Sequence, residues 1–510
     1  MRLCLHKAWP PRPWPRGSPP HTARRLCAWA GAGPRLDRAC HAGRVRLPPP
    51  LPPSLPLPST RLRRSVISRF TPPQLIALAY VLGIALGTAL LSLPGMLTPG
   101  TQLSLFERLF TATSAICITG LVVVDTGEGF TRLGQVVIIL LAQVGGLGII
   151  TFGTLFALLA GRRVNFSERQ LLVQQISALN VGGAVSLLWT IMLYTLVAEV
   201  AGAALLALRF VPQFGWGEGL YQAVFHSVSA YNNAGFVVMP GGMAQYVQDP
   251  LVSGVIAVQI VLGGLGFLVQ LNVLSHWREP RRNRLLVYSK LTLAMTGALL
   301  LGGTLLILAL EWSSAATLGP LSAPGKVLAA FFQSVTPRSG GFATINVEAL
   351  SSASLFLTIA LMFIGANSGS TGGGIKTSTF AILVGSAWNL IRGRTELIAF
   401  GRRVVPENVV RAGTITTIYT LLVFSAFFGL LVTNPRLDFT HLLFETVSAA
   451  ATVGLSMNTT PKINDTGLLI LTVLMYLGRI GPVTFAVALN SRQTQASPLK
   501  YPPERDILVG

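Results

Sequence analysis

Apolar and polar positions alternate along this chain on the scale of whole helices. Leu75–Leu93, Val136–Leu159, Leu251–Leu274 and Ile415–Val432 run almost without charge, each for the roughly 18–24 residues that a helix needs to cross about 30 Å of hydrocarbon. Shorter amphipathic stretches lie between such runs, each with aromatic residues: Phe106 and Phe110, Tyr221 and Phe225, Phe331 and Phe332, Phe439 and Phe444. Each leads into a segment of one pattern: Ser114-Ala-Ile-Cys-Ile-Thr-Gly120-Leu121, Ser229-Ala-Tyr-Asn-Asn-Ala-Gly235-Phe236, Val335-Thr-Pro-Arg-Ser-Gly-Gly341-Phe342 and Ser448-Ala-Ala-Ala-Thr-Val-Gly454-Leu455. The glycines recur at separations of 115, 106 and 113 residues. A fixed period of this kind defines an architecture. The predicted unit is helix, half-helix, glycine loop, helix, repeated four times.

A cation leaves water only where fixed oxygens replace its hydration shell, and backbone carbonyls do so without trapping it. Turning several carbonyls inward needs conformations that a Cβ resists and glycine adopts. Irregular backbone at membrane depth must also be buried in protein or line water, and a half-helix ending at each loop aims its negative dipole end at the ion. One such glycine would be a mere helix terminus. Four equivalent ones predict a cation-selective filter from Cys117, Ile118, Thr119 and Gly120; Asn232, Asn233, Ala234 and Gly235; Arg338, Ser339, Gly340 and Gly341; and Ala451, Thr452, Val453 and Gly454. The Arg338 side chain would repel a cation, so it is expected to turn behind its loop as scaffold and donate to carbonyls.

Composition narrows the class. Of 510 residues, 51% are hydrophobic and only 11% charged, against roughly 25% charged in soluble domains. The net charge is +21, and beyond residue 68 the bases gather between spans: Arg162, Arg163 and Arg169; Arg278, Arg281, Arg282, Arg284 and Lys290; Arg392, Arg394, Arg402, Arg403 and Arg411. Alternate loops hold Asp125, Glu128, Glu218, Asp249, Glu348, Asp438 and Asp465. This asymmetry places the basic linkers in the cytoplasm and offers no separate basic domain for nucleic acid. Cys4, Cys27, Cys40 and Cys117 lack metal-site spacing. The histidines, such as His226, His276 and His441, stand apart, and neither a metal cluster nor a nucleophile–base pair points to an enzyme.

Residues 1–68 are rich in Arg and Pro, with Pro48–Pro58 favouring extended conformation. They read as an unfolded tail, a start assigned too early, or a segment touching anionic lipid. Small-residue clusters recur in the second helix of each repeat: Gly145-Gly146-Leu147-Gly148, Gly263-Gly264-Leu265-Gly266, Gly372-Gly373-Gly374 and Gly478-Arg479-Ile480-Gly481. Close helix packing accounts for the first two. The segment 365–379, with Gly369, Ser370, Thr371, Gly372, Gly373, Gly374 and Lys376, cannot hold a helix through a membrane and needs a cavity. It nearly spells a phosphate-binding loop, but Ile375 intervenes before Lys376 and the preceding residues continue a span. Arg479, within an apolar helix, is costly and therefore a functional candidate. It either faces the conduction path or partners the backbone, a helix terminus or Glu445.

Thr119-Gly-Leu, Tyr231-Asn-Asn-Ala-Gly-Phe, Thr336-Pro-Arg-Ser-Gly-Gly-Phe, Thr452-Val-Gly-Leu-Ser, Gly369-Ser-Thr-Gly-Gly-Gly-Ile-Lys376-Thr and Leu477-Gly-Arg-Ile-Gly-Pro482 together resemble the Trk/Ktr/HKT superfamily of cation transporters. The likeness spans about 70–492 and is strongest to the membrane subunit of bacterial Ktr systems, since a single span precedes the first pore unit. Pro337 stands where such proteins often have Thr. The resemblance implies potassium uptake, with sodium-dependent, proton-coupled and less selective Na+/K+ transport as alternatives. It implies K+ as the transported ion and Na+ as a candidate coupling ion. It also implies an intramembrane gating loop at 365–379 carrying Lys376, a barrier at Arg479, a homodimer, and a cytosolic ring of nucleotide-binding regulatory subunits of the RCK type.

The expected fold is an all-α polytopic membrane protein with eight spans and four re-entrant pore loops in pseudo-fourfold symmetry. Its repeats occupy 69–165, 166–285, 286–400 and 401–492, with a tail at 493–510. The expected location is the cell membrane, with both termini cytoplasmic.

Overall fold

A computed structural model describes residues 72–148, 151, 184–394 and 396–481, all within one compact unit, Ser65–Gly510. The tail at 1–68, the linker with Arg162, Arg163 and Arg169, Pro482 and the segment 493–510 lie outside the described residues.

The fold among the described residues is helical, apart from a two-stranded hairpin of Ile398–Ala399 and Arg402–Arg403 in the linker between the third and fourth repeats. Each repeat opens with a long helix: α1 Pro72–Leu91, α4 Ala184–Phe214, α8 Val287–Glu311 and α12 Pro406–Thr433. All four are long and apolar enough to cross a membrane. Leu193, Leu301, Leu305 and Phe428 stand exposed along them, a surface suited to lipid rather than water. The half-helices follow: α2 Leu105–Ile116, α5 Trp216–Tyr231, α9 Ala323–Val335 and α13 Phe439–Ala450. Their starts are set locally. Ser104 and Glu107 form a reciprocal capping box on α2, while Ser322 and Asp438 cap α9 and α13, satisfying N–H groups that have no partner inside the helix. Phe110, Phe225, Phe332 and Phe444 are buried, whereas Phe106 and Phe439 face outward.

The second helices depart from the expectation of continuous spans. They are α3 Arg132–Leu147, α6 Pro250–Leu265, α10 Ser352–Phe363 and α14 Asp465–Ile480; α3, α6 and α14 run through their small-residue clusters to the last glycine, and α10 stops well before its own. Gly148, Gly266 and Gly481 end α3, α6 and α14 with φ of 91°, 86° and 89°, a conformation open to glycine and closed to residues with a Cβ. After Gly266 the chain turns by 100° into α7 Phe267–Arg278. After α10 it runs irregularly from Ile364 to Lys376, bridged between Ile364 and Ile375, before α11 Thr377–Ile391. The interruption is thus shorter than 365–379, because Thr377, Ser378 and Thr379 form the buried first turn of α11.

The repeats close on themselves. Each half-helix packs on the second helix of the preceding repeat: α5 on α3, α9 on α6, α13 on α10, and α2 on α14. Tyr476 of α14 completes the circuit by donating to the Ala77 carbonyl of α1 at 3.1 Å.

Candidate functional site: a ring of four glycine loops

Each half-helix ends in a buried turn of the same construction. In each loop, the residue two before the glycine and the glycine itself have positive φ: Ile118 52° and Gly120 86°, Asn233 57° and Gly235 71°, Ser339 73° and Gly341 77°, Thr452 48° and Gly454 92°. Residues at 119, 234, 340 and 453 between them keep negative φ. A strand turns successive carbonyls to opposite sides; alternating the hand of φ lets neighbours face one side. Cys117, Asn232 and Ala451 lead in as right-handed helix caps.

The loops meet in chain order. A Cβ on Gly120 would overlap the Ala234 carbonyl oxygen; one on Gly235 would lie 2.9 Å from Gly341 Cα. On Gly341 it would lie 2.6 Å from the Val453 carbonyl oxygen, and on Gly454 it would overlap that of Thr119. Each glycine therefore abuts the next loop, and the fourth returns to the first.

Hydroxyls at the half-helix ends hold the turns. Ser114 Oγ donates to Leu121 O (2.7 Å) and accepts from Gly120 N (3.1 Å). Ser229 Oγ donates to Phe236 O (2.9 Å), and Ser448 Oγ accepts from Gly454 N (3.1 Å). In the third loop Thr336, not the residue aligned with these serines, takes the part, donating to Phe342 O at 2.6 Å. The bond there spans six residues where those of Ser114 and Ser229 span seven. Arg338 donates to hydroxyls, Thr377 Oγ1 at 3.0 Å and Thr296 Oγ1 at 3.4 Å, rather than to the carbonyls expected.

The clusters in the second helices have two uses. Gly145, Gly263 and Gly478 press against the terminal carbonyls of their own half-helices, at Ile116, Tyr231 and Ala450, which is the close packing expected of the first two clusters. The last glycine of each of these three clusters ends its helix.

On one side of the ring lies a cavity of about 470 Å³, lined among others by Tyr80, Ser370, Lys376, Arg411, Tyr419 and Arg479. The irregular segment forms much of its wall. Lys376 Nζ donates to Gly372 O at 2.8 Å, Ser370 Oγ to Asn367 O at 2.6 Å, and Gly369 O accepts from Phe267 N at 2.9 Å. Gly374 has φ of 73° and packs on Gly365. Arg479 reaches across three repeats, donating to Gly145 O, Gly146 O and Thr371 O and to Tyr80 Oη. Its partners are backbone carbonyls and a phenol. Glu445 instead accepts from Ser456 and, at 2.9 Å, Thr460.

Two buried groups behind the loops escape a reading of the sequence alone. Asn232 Nδ2 donates to Glu199 Oε1 at 2.9 Å and to Gln143 Oε1 at 2.5 Å, so an acid within the apolar α4 anchors the second loop. Its signal was a lone carboxylate in a 31-residue apolar helix, expensive unless it is used. The second group is positional. Three residues before each loop hydroxyl stand Thr111, His226, Gln333 and Glu445, all buried. His226 Nε2 accepts from Val238 N at 3.3 Å, bracing the segment beyond its glycine much as Glu445 does through Ser456.

Four re-entrant half-helices whose glycine loops close around one axis, within an all-helical apolar frame, define a membrane protein of the pore-loop class. The comparisons make this specific. Residues 87–497 match the family described as TrkH, cation transport protein, and the chain belongs to that family. It is 38% identical over 444 residues to Ktr system potassium uptake protein B of Bacillus subtilis, covering 87% of this chain and 97% of that protein. It is 39% identical over 439 residues to the protein of the same name from Vibrio alginolyticus, covering 86% and 95%. Potassium/sodium uptake protein NtpJ of Enterococcus hirae is 36% identical over 456 residues, covering 88% and 100%. The crystal structure of the potassium transporter TrkH from Vibrio parahaemolyticus shares the fold, with a TM-score of 0.64, 19% identity and coverage of 82% and 84%.

Proposed function

We propose that this chain is the ion-conducting subunit of a Ktr-type potassium uptake system. The observation that carries the reading is the closed ring of glycine loops, each with the same alternation of φ. A potassium ion loses its water at Cys117–Gly120, Asn232–Gly235, Arg338–Gly341 and Ala451–Gly454, whose carbonyls replace the hydration shell. The C-terminal ends of α2, α5, α9 and α13 point at the same place and favour positive charge there. No chemical step is required.

Beyond the ring the ion meets the segment Ile364–Lys376, which acts as the gate, and the Arg479 guanidinium, which acts as an electrostatic barrier. Their placement on one cavity supports this division, since a cation passing there faces three basic side chains, Lys376, Arg411 and Arg479. The loops differ in side chain, which favours moderate rather than strict discrimination between K+ and Na+. The name of the Enterococcus relative agrees with Na+ as a second or coupling ion. The protein works in the cell membrane as a homodimer, with the basic linkers and both termini cytoplasmic. It joins a cytosolic ring of nucleotide-binding subunits, in keeping with relatives named as parts of a system.

Growth rescue of a potassium-uptake-deficient host at low external K+ tests the reading. The wild type restores growth and Gly120→Ser, Gly235→Ser, Gly341→Ser and Gly454→Ser impair it. Undiminished rescue by all four variants would sink the assignment.

A further inference from the structure

The irregular segment touches the loops themselves as well as the cavity. A Cβ on Gly372 would lie 2.9 Å from Ser339 Cβ, and one on Gly373 would overlap the Thr452 hydroxyl and lie 2.8 Å from Ala451 O. The glycines of the segment are thus seated directly against the third and fourth loops. One side chain joins the three. Gly373 N donates to Ser339 Oγ at 3.1 Å, and Ser339 Oγ donates to Thr452 O at 2.8 Å. A hydroxyl has one proton to give and lone pairs to receive, so this single group links an N–H of the segment to a carbonyl of the ring. Ser339 and Thr452 are fully buried, and water does not compete for the link. In the first two loops the equivalent positions are Ile118 and Asn233; in the fourth, Thr452 Oγ1 has no partner. The relay belongs to the third loop.

Resting on the reading of the ring as a filter and the segment as its gate, we propose that Ser339 is a specificity-determining residue that couples the two. With the segment seated, the Ser339 hydroxyl is held by Gly373 N–H and occupies one lone pair of the Thr452 carbonyl, leaving the other for the ion. With the segment withdrawn, the hydroxyl loses the N–H that fixes its orientation, and its bond to the Thr452 carbonyl is held less firmly. A carbonyl free to move closes around a smaller ion, so the cavity-side site discriminates less against Na+.

Tracer Rb+ uptake by the purified full chain in proteoliposomes, with K+ or Na+ as competitor, tests this. In Ser339→Ala, the ratio of Na+ to K+ needed for half-inhibition of the remaining Rb+ uptake falls about three- to tenfold, as loss of one hydrogen bond would give. Ser339→Thr restores the ratio, since Thr452 already occupies the same loop position at φ 48°. Gly373→Ala, which displaces the segment, lowers the ratio on its own, and the double variant Ser339→Ala/Gly373→Ala lowers it no further. Should Ser339→Ala yield no folded protein, an unchanged ratio in Gly373→Ala still overturns the coupling. An unchanged ratio in the folded single variants, or a double-variant shift equal to the product of the two single shifts, overturns the coupling. Where the wild type discriminates and the ring-glycine variants lose uptake, that result leaves the filter standing and removes only the relay. A wild type that takes up no Rb+ overturns both.

Discussion

At the four loop glycines a Cβ has no free space, and the shortage is unequal. On Gly120 and Gly454 it would overlap a carbonyl oxygen of the neighbouring loop, while on Gly235 the nearest atom is a carbon at 2.9 Å. All four also hold positive φ, which costs an L-residue roughly 1–2 kcal/mol before any clash. Gly120→Ser and Gly454→Ser should therefore lose more Rb+ uptake than Gly235→Ser, by tenfold or more, in proteoliposomes of equal protein content; equal losses would contradict the geometry. Arg479 gives a second prediction at this scale. The barrier role proposed for it predicts that Arg479→Ala increases uptake several-fold while the protein stays monodisperse. A fall in uptake together with a lower Tm would make it a brace for Gly145, Gly146 and Thr371 instead.

Half-helices were legible in the sequence and helix breaks largely were not. The former announce themselves by aromatic pairs, a hydroxyl and a glycine at fixed spacing. The latter rest on Gly148, Gly266 and Gly481, and a glycine inside a small-residue cluster looks the same whether it packs a neighbour or ends a helix. Only the third break, rich in Ser and Thr, stood apart by composition. The shift from the aligned serine position to Thr336 was hidden for a similar reason: four segments of equal length look alike until their hydrogen bonds are known. Likewise, Glu199 and Asn232 stand 33 positions apart, and nothing in their local sequence pairs them. These elements make their own predictions. Gly266→Ala would place a Cβ 2.7 Å from Ser368 O at φ 86° and should destabilise the protein by at least about 1–2 kcal/mol, read as a lower Tm in detergent. Backbone N–H groups of Thr440 and His441 hold the Asp438 carboxyl below its usual range. The sign follows from linkage: the cap stabilises α13 above the unfolded pKa and is lost as pH falls through the folded one. The Tm of Asp438→Asn should accordingly lie below that of the wild type at neutral pH and converge with it in acid.

Across the whole molecule, function depends on closure. The first and last repeats, nearly 400 residues apart in sequence, meet where Tyr476 reaches Ala77 and Arg479 reaches Tyr80, so the ring is complete only when the fourth repeat returns to the first. Arg479, Thr371 and Ser339 then tie the segment Ile364–Lys376 to the first, third and fourth repeats. Pseudo-fourfold symmetry governs the backbone of the loops, while the irregular segment and Arg479 set the third and fourth repeats apart. Alkali-cation flux through the purified full chain, alone in potassium-loaded liposomes, tests this account most directly. Tracer Rb+ should enter down a gradient set by internal K+, K+ should compete better than Na+, and each ring-glycine→Ser variant should reduce the flux. Wild-type flux in all four variants, or no cation selectivity in the wild type, would contradict it.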